Sequence, residues 1–107
     1  MLYKFKSKAT GDVIMTSTHG DELMRAMGRE PAAQGIVNVA DMPAVLAALE
    51  QAVDAAEAVR RQAEADAAAE GRQLPPFDGV SLRQRFWPFI EMLRRAHGEN
   101  AVVVWGV

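Results

Sequence analysis

The chain of 107 residues has no cysteine. Disulfides, thiolate metal sites and cysteine nucleophiles are excluded together, and the absence suits a reducing compartment. Histidine is scarce, with two residues, and the aromatics are four Phe, two Trp and one Tyr. No apolar run approaches the roughly 20 residues that a bilayer-crossing helix needs. Met1-Leu2-Tyr3-Lys4 opens a strand-like alternation rather than a charged head before an apolar core, so no signal peptide is read. The expected location is cytoplasmic, with no membrane partner. Positive charge is not in excess: 12 Lys and Arg face 14 Asp and Glu, for a net charge of −2. No global basic field exists to draw in nucleic acid. Gly-x-Ser-x-Gly elbows, P-loops and dinucleotide fingerprints are missing, and Gly28 and Gly35 stand too far apart around Pro31 to cradle a phosphate. The expectation is a protein that is not an enzyme and needs no cofactor.

What remains is ordinary globular material, half apolar and about a quarter charged. The length suits one domain over residues 1–107 with one core. Tyr3 and Phe5 alternate with Lys4 and Lys6, as in a half-buried strand, and turn residues 7–12 lead to a second strand at 13–16. The lysines read as edge protection or a solvated face. Thr18 and Asp21 suggest a capping box for a short helix with Leu23, Met24 and Met27 inward, closed by Gly28. The stretch 36–39 fits either a short extended piece or a buried loop. Asp41 caps a helix with Pro43 in its first turn, running to about Glu70. Its large apolar residues end at Val59, so the last three turns are expected to project, lie exposed or fray. Gly71 to Gly79, with two adjacent prolines, is a loop that Phe77 would pin.

The C-terminal stretch carries the strongest pattern. Leu82, Phe86, Phe89 and Leu93 lie four, three and four apart, on one side of a helix over about 82–97 that a Ser81–Gln84 capping box would start. Pro88 falls inside it, which leaves two geometries: one helix bent near 88, or a turn with a second helix starting there. The apolar stripe keeps its phase throughout and favours one helix. Ala101 to Trp105 then forms a strand apolar on both faces.

On a continuous helix Trp87 lies opposite the stripe, with Arg83 and Arg94 nearby. A large aromatic among charges is the kind of residue that anchors a protein contact, and Arg83, Trp87 and Arg94 are the candidate binding residues. The alternative is structural: the bend turns Trp87 inward, or the middle helix covers it. Residues 41–70 hold two basic and seven acidic groups, and residues 71–99 hold five and three. Attraction between those two helices explains that segregation. His19, Asp21, Glu22 and His97 form the one conceivable metal set, but without paired ligand spacing, so no metal is assigned. Arg83, Arg85, Arg94 and Arg95 split over helix faces with Glu91 between them, as solvated arginines do.

Gly28-Arg-Glu-Pro31, Gly35-Ile36, Met42-Pro43-Ala44, Leu82-Arg-Gln-Arg85, Trp87-Pro88, Met92-Leu93 and Trp105-Gly106-Val107 together cover nearly the whole length. On these features the chain resembles a family of small proteobacterial proteins catalogued as domain of unknown function 1840. The resemblance implies an uncharacterised bacterial protein and carries over no catalytic residue.

The fold expected is α+β: a small, mainly antiparallel sheet of N-terminal hairpin plus C-terminal strand, with three helices packed mainly on one face. The function expected is a non-enzymatic protein-interaction module with an unknown protein partner or with itself as a homodimer. The other reading is a small-ligand or anion-binding domain, with a pocket near Trp87-Pro88 and the 29–40 loop.

Overall fold

The computed structural model describes residues 2–75 and 81–107. The proposed anchoring by Phe77 lies outside them. β1 (Leu2–Ser7) and β2 (Thr10–Thr16) form the N-terminal hairpin. α1 (Ser17–Ala26) follows, then β3 (Gly35–Val37) and a 3-10 turn over Val39–Asp41. α2 (Met42–Ala69), α3 (Leu82–Gly98) and β4 (Val103–Trp105) complete the order. The four strands pair antiparallel in the order β2-β1-β4-β3. The α+β class, the hairpin and the pairing of the C-terminal strand agree with the sequence, and the undecided stretch 36–39 contributes a fourth strand.

Alternation decides which face is buried. Phe5, Met15, Val37, Val103 and Trp105 point inward and are closed from solvent. Leu23, Met24, Val45, Leu49, Phe86, Phe89 and Leu93 meet them in one cluster to which every helix and strand contributes. α1 and α3 lie against the sheet, and α2 packs chiefly along α3. Phe89 stacks edge-on to Phe5, centroids 4.8 Å apart, so the stripe on α3 is seated on the sheet centre.

The caps are partly as the sequence suggests. Ser81 and Gln84 form the reciprocal capping box of α3. Gly28 takes the left-handed cap after α1, at φ +85°. The start of α1 is two residues earlier than the Thr18 box implies: Thr16 caps it, accepting from the His19 amide. Asp41 precedes α2 without a side-chain cap bond, because the 3-10 turn already leads the chain in. α3 is continuous through Pro88, the single-helix alternative. Gln84 and Pro88 both lie on the exposed side, where water can serve the carbonyl that proline leaves unpaired.

Three expectations need correction. β1 is an inner strand, since β2 and β3 form the edges, so Lys4 and Lys6 guard no edge; both are exposed and belong to a solvated face, the other alternative. β4 is covered on one face only: Val103 and Trp105 are buried, but Val104 is half-buried and Val102 exposed. Burial of the large apolar residues along α2 stops short of Val59, where they end: Val53 is closed from solvent but Val59 is 71% exposed. The far half of α2 stays helical, however, and the chain turns back after it, so that Arg60 Nη2 donates to the Pro75 carbonyl at 3.1 Å. That projection gives the molecule extents of 51 × 28 × 23 Å.

Candidate functional site between α2 and α3

On α3, Arg83, Trp87 and Arg94 recur at four and seven residues and share one side of the helix. α2 passes them antiparallel with Glu50, Asp54 and Glu57 at four and three. The two series interlock. Arg83 Nη2 donates to Glu57 Oε1 at 2.6 Å and lies 3.5 Å from Asp54 Oδ1. Arg94 donates to Glu50 on α2 and, at 3.0 Å, to Glu91 on its own helix. The charge segregation is thus realised as pairing between neighbouring helices.

Trp87 stands between the two arginines and is 46% exposed, whereas Trp105 is 2% exposed. The Arg94 guanidinium carbon lies 5.4 Å from the Trp87 ring centre, within cation–π range. Neither the proline nor the acidic helix hides the indole. All three candidate residues line one hollow of about 170 Å³, with Val53 and Ile90 on its apolar side. Ligand pockets usually enclose roughly 300–1,000 Å³, so this hollow is smaller than most.

The Arg83 hydrogen bond holds the Glu57 carboxyl below the usual glutamate range, and its charge acts in the same direction. Hydrogen bonds to Glu57, and to Glu91 and Glu50, push the Arg83 and Arg94 guanidinium groups up. A carboxylate lowered in the fold contributes stability above its unfolded pKa, and that contribution vanishes as pH falls through the folded value. The melting difference between the natural chain and Arg83→Gln should therefore be present at neutral pH and disappear in acid. Because the pair is exposed, the difference should be small and should shrink with salt, as thermal melts at several ionic strengths would show.

The 29–40 loop does not reach the hollow, whose lining comes from α2 and α3 alone. It is tied instead to the C-terminal strand. Trp105 Nε1 donates to the Ala32 carbonyl at 2.9 Å, Gln34 Nε2 to that of Gly106 at 3.0 Å, and Arg29 lies over the Trp105 ring at 5.8 Å. Among the described residues, the hollow beside Trp87 therefore takes no wall from this loop. Asp21 accepts from the Tyr3 hydroxyl and Glu22 from Arg85, so two members of the conceivable metal set serve packing. Among the described residues no group of three His, Cys, Asp or Glu is placed to hold a metal ion. Arg83, Arg85 and Arg94 each face a carboxylate on another helix, leaving no unopposed basic stripe along α3.

Domain of unknown function (DUF1840) matches the chain over residues 1–105. The chain belongs to the DUF1840 family. No curated protein and no solved structure matches it. The DUF1840 match takes in the hairpin, the α2–α3 site and β4, so the site lies within the family's domain rather than on an appendage. No helix described in this DUF1840 chain is long and apolar enough to cross a membrane.

Proposed function

We propose that the protein is a non-enzymatic, cytoplasmic interaction module of a bacterial cell, and that it makes its contact through the Arg83–Trp87–Arg94 side of α3. One observation carries the reading: a half-exposed tryptophan is held in a ring of charged side chains already oriented by one another. Such a ring loses little conformational freedom on binding, and an indole standing among rim charges is a frequent hot-spot anchor. The surface carries both signs, so it can be complementary to a second copy under a two-fold rotation. No nucleic acid is required by this reading.

Trp87→Ala should change stability by only about 1 kcal/mol, a typical value for a residue outside the closed core. The same substitution should abolish any growth of mass above 11.7 kDa that light scattering detects in the natural chain as concentration rises. Destabilisation as large as a core deletion would make Trp87 a structural residue. A mass that stays monomeric in the natural chain would remove the homodimer.

A further inference from the structure

A second surface lies on the opposite side of the molecule. Antiparallel sheets with one solvated face alternate apolar-in with polar-out. The outer face here departs from that rule: Leu2, Ile14 and Ile36 point outward and are 61%, 58% and 42% exposed. Val102 and Val107, on either side of β4, are exposed as well. Five of the seven exposed large hydrophobic residues among those described therefore flank this one sheet.

All three lysines of the chain, Lys4, Lys6 and Lys8, are on β1 and its turn. Lys4 pairs across to Ile14 and Lys6 to Val104, whose other neighbour is Ile36. The two ammonium groups thus stand inside the aliphatic patch, on an inner strand. Asp12 is the carboxylate beside them, 3.5 Å from Lys4.

We infer that this face docks an acidic, amphipathic helix of a protein partner. Charge selects the occupant. Central lysines would be dragged toward hydrocarbon by a lipid surface, which favours basic groups at the rim of an inserted patch. A second copy laid face to face would oppose lysine to lysine. A helix satisfies both features. Lys4 and Lys6 are two residues apart on a strand, about 6.7 Å, and carboxylates at i and i+4 of a helix along β1 are about 6 Å apart. Aliphatic residues beside those carboxylates would cover Ile14, Val104 and Ile36. The carboxylates of this chain's own α2 are a poorer fit, since Glu50, Asp54 and Glu57 already engage arginines of α3, Glu64 pairs with Arg60 and Asp66 accepts from Gln62.

The test titrates the full chain into a labelled synthetic helix of leucine and alanine with glutamates at i and i+4, read by fluorescence anisotropy. Lys4→Glu/Lys6→Glu should weaken binding at least about tenfold and create binding to the matching lysine peptide, since opposed charges set partner choice. Lys6→Glu alone should give part of both effects, which keeps the test open should the double variant fold poorly. Trp87→Ala should leave the peptide affinity unchanged, separating this surface from the α3 site. Three outcomes overturn the inference: no peptide binding by the natural chain, affinity indifferent to the reversal, or tighter attachment to phosphatidylserine–phosphatidylcholine vesicles than to the peptide.

Discussion

Trp105→Ala is expected to destabilise the fold by about 3–5 kcal/mol, the range for removing a large buried aromatic. The loss is read as a lower urea midpoint by circular dichroism. Trp105 joins several parts of the molecule at once. Its ring lies 5.6 Å from that of Phe5, its indole nitrogen bonds Ala32, and its six-membered ring sits where a Cβ on Gly35 would come within 2.1 Å. Deletion opens a cavity, leaves a loop carbonyl without its donor and unseats β3 from its partner strand. Because small domains hold only about 5–15 kcal/mol in total, a variant at the upper limit would be partly unfolded at ambient temperature. Substitution of the other tryptophan, at position 87, should cost far less. A smaller effect at 105 than at 87 would reverse the assignment of core and surface.

Gly20→Ala should destabilise as well, by about 1–3 kcal/mol, although glycine to alanine inside a helix ordinarily gains up to about 1 kcal/mol. Gly20 is buried in α1 under Tyr3. A Cβ there would lie 2.0 Å from Tyr3 Cδ2 and 3.0 Å from Cγ, near the root of the ring rather than at a flexible end. The ring is fixed from its other end too, through the hydrogen bond from its hydroxyl to Asp21, the main reason that its pKa is raised. Packing therefore outweighs propensity at this position. Tyr3→Ala should remove the conflict, so that adding Gly20→Ala to it becomes neutral or stabilising. Equal effects of Gly20→Ala in both backgrounds, measured as a double-mutant cycle, would show that the ring is not the obstacle.

Periodicity made the helices and the hairpin legible, because each buries one continuous face. Leu23, Met24, Leu49, Phe86, Phe89 and Leu93 are all core residues, as their spacing implies. Arg83, Trp87 and Arg94 could be grouped because a continuous helix fixes their angular relation. Their acidic partners were visible only as a charge imbalance, since the register of α2 against α3 is set by tertiary packing. The sheet order was less accessible. β3 has three residues, too few for a period, and Lys4 and Lys6 can be read as edge guards until β4 is found beside β1. The run Val102-Val103-Val104 suggests cover on both sides, yet the structure supplies cover for one. That mismatch between pattern and burial is the physical origin of the second surface inferred above.

Single-tryptophan fluorescence gives the most direct test of Trp87 as an exposed contact residue. Trp105→Phe keeps an aromatic ring beside Phe5 and leaves Trp87 as the sole indole. In the dilute protein its emission should be that of a hydrated indole and should be quenched readily by iodide, an anion that Arg83 and Arg94 flank. Quenching should fall as a partner or a second copy covers the ring. Blue-shifted emission insensitive to iodide in the dilute, folded monomer would place the indole inside the fold and contradict the proposed contact surface.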